Sequence, residues 1–220
     1  MPSIVVWASR KGKLGLNYRP ETRGDLELIA GMVGANCRVL DVGCGDGALL
    51  GYLKSERQAD GRGIELSMDG VRECVSNGLS VVQGDADTDL DAYPDNAFDY
   101  VVLSQTLQAT RQPRHVVESL IRIGKRAILS FPNFGHFSVR WKLLFGGRMP
   151  VTGNLPDRWY DTPNIHLCTI TDFIVLCDEL DAKLEQAIAL DRQGNPLSYS
   201  ARAGRANFLA PQALFVLQKY

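Results

Sequence analysis

The sequence predicts an α/β protein built on a doubly wound, mostly parallel sheet of seven strands. Three observations lead to this fold class. Short apolar runs alternate with amphipathic helical patterns, glycine or proline marks many of the boundaries between them, and the first apolar run ends in three closely spaced glycines. A chain of 220 residues is long enough for one such domain.

The elements follow from the spacing of apolar residues. Five strands are predicted at 38–42, 63–66, 79–83, 98–104 and 126–131. Helices are predicted at 25–33, 48–55, 68–77 and 113–123. In the third of these helices the residues expected to face inward are Met68, Val71, Cys74 and Val75. Thr169 and Asp172 form the pattern of a capping box, which predicts a helix running to about residue 180. Two closing strands at 183–189 and 213–218 complete the seven.

Charge and composition exclude several classes of function. The 24 Lys and Arg residues balance 25 Asp and Glu residues, so we expect no binding to nucleic acid or to an anionic membrane. No apolar run approaches the ~18 residues that span a bilayer, and the first residues, MPSIVVWASRKGK, lack the order of a signal peptide. A cytoplasmic protein with reduced thiols is indicated by an odd number of cysteines without paired spacing: Cys37, Cys44, Cys74, Cys168 and Cys177.

The stretch RVLDVGCGDG, residues 38–47, is a strand that turns through glycines into a helix. Such a turn lets a ligand approach the backbone and the helix N-terminus. Gly43, Gly45 and Ala48 also satisfy the loose dinucleotide-binding pattern, so the glycines alone do not identify the ligand. A tight turn without any ligand is the alternative.

Carboxylates at strand ends narrow the choice of ligand. Asp41 precedes the first glycine, where it would repel a pyrophosphate but suit a cationic amino-acid moiety. Glu65 closes the second strand and can accept hydrogen bonds from a ribose diol, and Asp85 can accept from an adenine amine. This combination indicates S-adenosylmethionine or S-adenosylhomocysteine. The candidate cofactor-binding residues are Asp41, Gly43, Cys44, Gly45, Gly47, Glu65, Leu66, Asp85, Ala86 and Ser104.

Some of these residues have simpler explanations. Asp85 could cap a turn or a helix, and Cys44 could be a small packing residue. The alternating aspartates at 85–91 resemble a calcium loop, but Leu90 and Asn96 stand where that loop requires glycine and glutamate. We therefore expect no metal.

An aromatic-rich insertion follows the fifth strand. Residues 131–167 contain two Trp, four Phe and one Tyr, too many for a disordered segment, and a connection of this length is usually functional. A short helix is predicted at 138–145. The segment is expected to be a lid over a substrate or a docking surface for a partner. Its candidate contact residues are His136, Trp141, Arg148, Trp159, Tyr160, Asp161 and His166.

Six motifs carry a family resemblance: RVLDVGCGDG, GIELS, LSQTLQATRQP, SFPNFGHFSVR, GGRMPVT and WYDTPNIHLCTITDF. They resemble the MetW family of methionine-biosynthesis proteins, within the class I S-adenosylmethionine-dependent methyltransferase (Rossmann-like) fold. The first two motifs are shared by many methyltransferases, and the last four are specific to MetW. The resemblance covers about 25–180 and does not extend to the polar segment 191–211. We accordingly expect one domain over 1–220, with a cofactor-binding core at 25–131, an insertion at 132–168 and a C-terminal helix with closing strands at 169–220.

The resemblance implies an accessory role beside homoserine O-acyltransferase (MetX), as an activating or regulatory subunit. The chain itself lacks the G-x-S-x-G nucleophile elbow and has only three histidines, so it is not expected to be that acyltransferase. The alternative is a methyltransferase acting on an unidentified small molecule, although no residue forms a recognised catalytic signature. The groups near such a site would be Ser104, Gln105, Thr106, His136, Tyr160 and Asp161. A scaffold that binds nothing is disfavoured, because three strand-end carboxylates would be costly to bury without partners.

Overall fold

The computed structural model describes residues 24–153 and 155–219, which form one twisted eight-stranded sheet with helices on both faces. The strands in chain order are β1 (Arg38–Val42), β2 (Asp60–Glu65), β3 (Ser80–Gln83), β4 (Phe98–Ser104), β5 (Gly124–Pro132), β6 (Ala182–Leu190), β7 (Pro196–Ser200) and β8 (Gln212–Lys219). The helices are α1 (Gly24–Met32), α2 (Ala48–Arg57), α3 (Met68–Ser76), α4 (Pro113–Ile123), α5 (Phe137–Gly146), α6 (Ile170–Glu179) and α7 (Ala206–Leu209). The predicted fold class is confirmed, with one strand more than expected.

The strand order is β3-β2-β1-β4-β5-β8-β6-β7. Strands β1 to β5 run parallel, whereas β8 is antiparallel to both β5 and β6, and β7 is antiparallel to β6. The chain goes outward from β1 through β2 to β3 and then crosses back to β4 on the other side of β1. Ligands of open α/β sheets bind at such a reversal, beyond the carboxyl ends of the strands.

Side chains that alternate along the central strands build two apolar layers. On one face Val39, Val102 and Ile128 pack with α1 and α2. On the other face Leu40, Val101 and other strand residues pack with α4 and α6. Because both faces are covered, the inner strands are apolar on both sides, which is why they appear in the sequence as continuous apolar runs.

Two details differ from the predictions. Strand β7 was not predicted, because its sequence PLSYS is polar and begins with proline; it is an edge strand in which only Leu197 and Tyr199 face the core. In α3, Met68 and Val75 were expected to face inward but are exposed, and only Cys74 is buried. Helix α3 covers the edge of the sheet beside β3, where little apolar surface needs cover.

Of the described helices, none is long and apolar enough to cross a bilayer. The prediction that the first residues do not form a signal peptide concerns residues 1–23, which lie outside the described part of the chain.

Candidate functional site

The glycine turn joins β1 to α2 at the reversal of strand order. Gly43, Gly45 and Gly47 have φ of 71°, 56° and 80°, in the left-handed region that favours glycine. A Cβ on Gly43 would lie 2.8 Å from the Thr106 side chain, and a Cβ on Gly47 would lie 2.5 Å from Leu79. A Cβ on Gly45 would have no heavy atom within 4 Å. Gly45 therefore faces open space, while the outer two glycines are required by close packing.

Glu65 holds the turn in place from the neighbouring strand. Its Oε2 accepts a hydrogen bond from the Gly45 N–H at 2.8 Å, and its Oε1 accepts from the Ser67 N–H at 2.8 Å. Each carboxylate oxygen can accept a second hydrogen bond. Glu65 thus fixes the backbone around Gly45 and keeps capacity for two more donors, such as the hydroxyls of a ribose.

A crevice lies between the turn, α1 and the end of β4. Its lining includes Asp41, the glycine turn, Leu26 and Ser104, and its volume is about 70 Å³. Asp41 is only 4% exposed. Small-molecule pockets usually measure ~300 Å³ or more, so a nucleoside-sized ligand could place only its smaller end here. The remainder would extend over Gly45 toward Glu65.

The ends of β2 and β3 continue this edge of the sheet. The Gly84 N–H donates to the Glu65 carbonyl at 3.1 Å, which brings Asp85 and Ala86 beside the end of β2. Asp85 Oδ1 accepts from the Asp87 N–H at 2.9 Å, so the predicted alternative of a turn cap is observed. A carboxylate can fill this role and still accept from a ligand amine. Leu66 lies next to Glu65 and is exposed.

The other aspartates of the alternating run have structural partners. Asp87 is buried, and its oxygens accept the backbone N–H groups of Arg111 and Gln112 at 2.8–3.0 Å, where α4 begins. Asp89 accepts hydrogen bonds from the Asp85 N–H and from the Thr88 hydroxyl, and these two bonds hold the pKa of Asp89 below its usual value. Among the described residues, no group of three or more His, Cys, Asp or Glu side chains is arranged to hold a metal ion.

A buried polar network beneath the crevice was missed by the sequence analysis. Asp25 Oδ2 accepts hydrogen bonds from Ser104 Oγ at 2.9 Å and from Ser130 Oγ at 3.2 Å. Gln105 Nε2 donates to Ser130 Oγ at 3.3 Å and to Gln212 Oε1 at 2.9 Å. The network joins α1 to the carboxyl ends of β4 and β5 and to the start of β8. Only polar residues at strand ends could have indicated it from sequence.

Cys44 is a small packing residue, which was the alternative to its predicted role in binding the cofactor. Its sulfur is directed toward Gly63, where an added Cβ would come within 2.6 Å, and it packs with Leu50 and Cys74. Burial, with the nearby Asp41, raises the pKa of Cys44 well above its usual value, and burial raises the pKa of Cys168 to about 12. These thiols are therefore protonated and unreactive at neutral pH. All five cysteines are free.

The loop after β4 connects the crevice to the insertion. Gln105 has φ of 55°, a left-handed conformation that is uncommon for a residue other than glycine. The Gln108 carbonyl accepts from the N–H groups of Ile165 at 2.8 Å and His166 at 3.0 Å, and His166 Nδ1 lies 2.9 Å from the Thr110 carbonyl oxygen. The same loop thus contacts the glycine turn through Thr106 and the far end of the insertion through Gln108.

Asn133 anchors the near end of the insertion. Its side-chain NH₂ donates to the carbonyls of Asn207 at 3.0 Å and Ala210 at 2.7 Å. Its Oδ1 accepts from the N–H groups of Gly135 at 2.9 Å and Ile170 at 3.3 Å. This residue therefore fastens β5, the start of α6 and the end of α7 together, which gives the SFPNFGHFSVR motif a structural reason.

His136 caps the helix that follows. It is buried, and its Nδ1 accepts from the Ser138 N–H at 3.2 Å at the first turn of α5. Burial lowers the pKa of His136, and the Arg192 guanidinium lowers it further. A neutral ring can accept the hydrogen bond from the Ser138 N–H, so His136 has a structural role beneath the surface of the insertion.

The other predicted contact residues of the insertion are exposed. Trp141 is 65% exposed, Trp159 is 71% exposed and stacks edge-on against Tyr160, and the Tyr160 hydroxyl accepts a hydrogen bond from Arg158. Arg148, Asp161 and His166 are exposed as well. The predicted contact residues therefore lie mostly on a surface, and the structure does not bring them into the crevice.

The sheet order, the glycine turn and the acidic end of β2 define a protein of the class I S-adenosylmethionine-dependent methyltransferase fold. Solved structures of this fold agree. An S-adenosylmethionine-dependent methyltransferase from Mesorhizobium loti superposes with a TM-score of 0.65 at 15% identity, covering 89% of this chain and 98% of that one. The [4+2]-cyclase SpnF superposes with a TM-score of 0.61 at 17% identity, covering 88% and 80%.

The family model of the methionine biosynthesis protein MetW matches residues 23–217. The expectation that the resemblance does not extend to the polar segment 191–211 was therefore wrong. The chain belongs to the MetW family. It is 31% identical over 176 residues to the bifunctional methionine biosynthesis protein MetXA/MetW of Rhodopirellula baltica. That match covers 76% of this chain but only 28% of the relative's length.

Proposed function

We propose that this MetW protein binds S-adenosylmethionine or its demethylated product and pairs with homoserine O-acyltransferase as an activating or regulatory subunit. The observation that carries the proposal is the loop after β4. It packs on the glycine turn through Thr106 and holds the exposed insertion through the Gln108 carbonyl. A ligand in the crevice and a partner on the insertion would thus both contact parts fixed by one short segment.

The residues at the sheet edge fit the cofactor. Gly45 has open space above its Cα, and Glu65 has hydrogen-bonding capacity left after holding the turn. Asp41 lines the crevice where a sulfonium and an ammonium group would lie, and Asp85 follows β3 where adenine would lie. The methyltransferases with this fold use such a ligand, which supports the assignment.

The partner is supported by the relative from Rhodopirellula baltica, whose name combines MetXA and MetW in one chain. Fusion of two units raises their effective concentration for one another and favours pairs that work together. If the cofactor binds more tightly to the complex than to the free chain, it must also strengthen the binding of the acyltransferase by the same factor. Such coupling free energies are typically about 1–3 kcal/mol. The five free cysteines support the expected cytoplasmic location.

The test uses the purified chain and the homoserine O-acyltransferase of the same organism. Acyltransferase activity is measured with and without this chain while S-adenosylmethionine and S-adenosylhomocysteine are titrated. We expect the chain to change acyltransferase activity and the cofactor to modulate that change. An acyltransferase that neither binds this chain nor changes its rate would refute the proposal.

Methyl transfer to a small molecule is the second candidate, because many neighbours in fold are methyltransferases. Positioning the acceptor within ~3–3.5 Å of the methyl group can supply much of that catalysis. Incorporation of labelled methyl groups from the cofactor into a cell-extract metabolite, and its loss in Gly43→Val, would favour this function over the accessory role.

A further inference from the structure

Helix α5 presents an apolar stripe to solvent. Phe137, Trp141, Leu144 and Phe145 are spaced i, i+4, i+7 and i+8, so they lie on one face of the helix. Trp141, Leu144 and Phe145 are 65%, 77% and 66% exposed, and Val139 is the one residue of α5 that is buried. Helices of soluble proteins normally turn such a stripe toward their own core. A contiguous exposed stripe of this kind marks an interaction site.

The stripe is held in a fixed shape. The rings of Trp141 and Phe145 lie 4.3 Å apart, and the Phe137 ring lies 5.9 Å from that of Phe208 on α7. The Arg140 Nε donates to the Gly135 carbonyl at 2.6 Å and so fixes the first turn of the helix. Less side-chain and backbone freedom is lost when such an ordered surface binds a partner.

The charged residues along α5 and in the segments on either side of it are all basic. No Asp or Glu occurs from residue 119 to residue 156, and Arg140, Lys142 and Arg148 lie in or just after α5. A second copy of this chain docking through the same stripe would bring these like charges together, which opposes self-association. The complementary surface is an apolar groove with carboxylates along its rim.

We infer that α5 docks as a helix in an apolar, acid-rimmed groove of homoserine O-acyltransferase, with Trp141 as its anchor. The inference rests on the proposed function and assigns the surface that carries it. Amphipathic helices commonly bind in grooves through anchors at i, i+3 or i+4, and i+7, and tryptophan is the residue type most enriched among binding hot spots. The fused MetXA/MetW relative favours this enzyme as the occupant.

The experiment compares three variants of the full chain with the wild type, using calorimetric titration against the purified acyltransferase. Trp141→Ala and Leu144→Ser each alter the stripe. Val75→Ser is the matched control, because Val75 is an exposed apolar residue on a different helix, α3, which packs beside β3 and β2. Thermal unfolding of all three should match the wild type closely, since the altered side chains are exposed.

The expected result is that Trp141→Ala weakens the acyltransferase complex by about 30-fold or more, the size of a hot-spot effect. Val75→Ser should leave the dissociation constant within about twofold. Association should also slow as salt is raised, because opposite charges steer the encounter. Unchanged affinity of both stripe variants, with a wild-type protein that binds, would overturn the role of α5 but leave the proposed function standing.

Two further outcomes identify a different occupant. Vesicles with 30% anionic phospholipid test the membrane, because a basic helix with Trp, Phe and Leu is also typical of interfacial membrane binding. Sedimentation across a range of protein concentrations tests self-association. Binding to vesicles, or dimer formation, that is lost in Trp141→Ala while acyltransferase affinity is unchanged would overturn the inference. Failure of the wild-type chain to bind the enzyme at all would instead refute the proposed function.

Discussion

Replacing Glu65 by glutamine tests the cofactor site at its best-defined carboxylate. The wild-type side chain accepts two backbone hydrogen bonds of 2.8 Å, from the N–H groups of Gly45 and Ser67. Glutamine keeps the shape but offers one oxygen, so one N–H would face an amide NH₂ group. Loss of a charge-assisted hydrogen bond costs ~1.5–3 kcal/mol when it is buried. Since Glu65 is half-buried, we expect about 1 kcal/mol of lost stability.

The effect on the ligand should be larger than the effect on the fold. If the carboxylate accepts from both ribose hydroxyls, Glu65→Gln removes one charge-assisted acceptor and disturbs the turn beneath Gly45. We expect the dissociation constants of S-adenosylmethionine and S-adenosylhomocysteine to rise by about 10- to 150-fold. Calorimetric titration measures them, and thermal unfolding reports the stability separately.

The matched control is Glu73→Gln on the exposed side of α3, which should change neither quantity. An affinity within about threefold of the wild type in Glu65→Gln would refute the reasoning. The ribose would then lie elsewhere, and Glu65 would serve only to hold the glycine turn.

Three further predictions concern stability. Asn133→Ala removes four hydrogen bonds worth ~1 kcal/mol each, so it should lower the free energy of unfolding by about 4 kcal/mol and Tm by about 10 °C. The exposed control Asn77→Ala should change the free energy of unfolding by less than ~0.5 kcal/mol. A loss below about 1 kcal/mol in Asn133→Ala would contradict the proposed anchor. Burial lowers the pKa of His136 in the folded state. The neutral His136 ring therefore contributes fully to the stability of the fold above its usual pKa of 6.5, and this stabilisation is lost as pH falls below that value. His136→Asn keeps a helix cap, and urea unfolding from pH 7.5 to 5 should show a shallower loss of stability than in the wild type; an unchanged slope would show that other groups cause it. Gly47→Ala should unfold at a lower temperature than Gly45→Ala, because both strain the backbone but only the former clashes with neighbouring side chains; equal midpoints would contradict the packing argument.

The fold could be predicted because each local pattern agrees with the global arrangement. Strands β1 and β4 have the predicted bounds, since buried parallel strands are short apolar runs that end abruptly. Strand β7 could not be predicted in the same way, because half of an edge strand faces water and its composition resembles a loop. The exposure of Val75 was missed for a related reason, since periodicity identifies a stripe but not what covers it.

The site was only partly predictable. Glycines and carboxylates at strand ends could be found because the carboxyl ends of parallel strands meet at one edge of the sheet. The network below the crevice could not, since Asp25 bonds with Ser104 and Ser130, which are 79 and 105 residues away. A hydroxyl at the end of an apolar strand carries no local sign of its partner. Sequence also left open whether the insertion is a lid or a docking surface.

Two of the motifs that resemble the MetW family are joined by hydrogen bonds in the structure. LSQTLQATRQP forms the end of β4 and the loop that follows, and WYDTPNIHLCTITDF forms the far end of the insertion. The Gln108 carbonyl and the Thr110 carbonyl join the two motifs through Ile165 and His166. RVLDVGCGDG lines the crevice, LSQTLQATRQP begins at the crevice with Ser104, and WYDTPNIHLCTITDF carries the exposed Trp159 and Tyr160. A protein that only transferred methyl groups would need the crevice, whereas one whose ligand must influence a partner needs a connection between the crevice and the exposed surface.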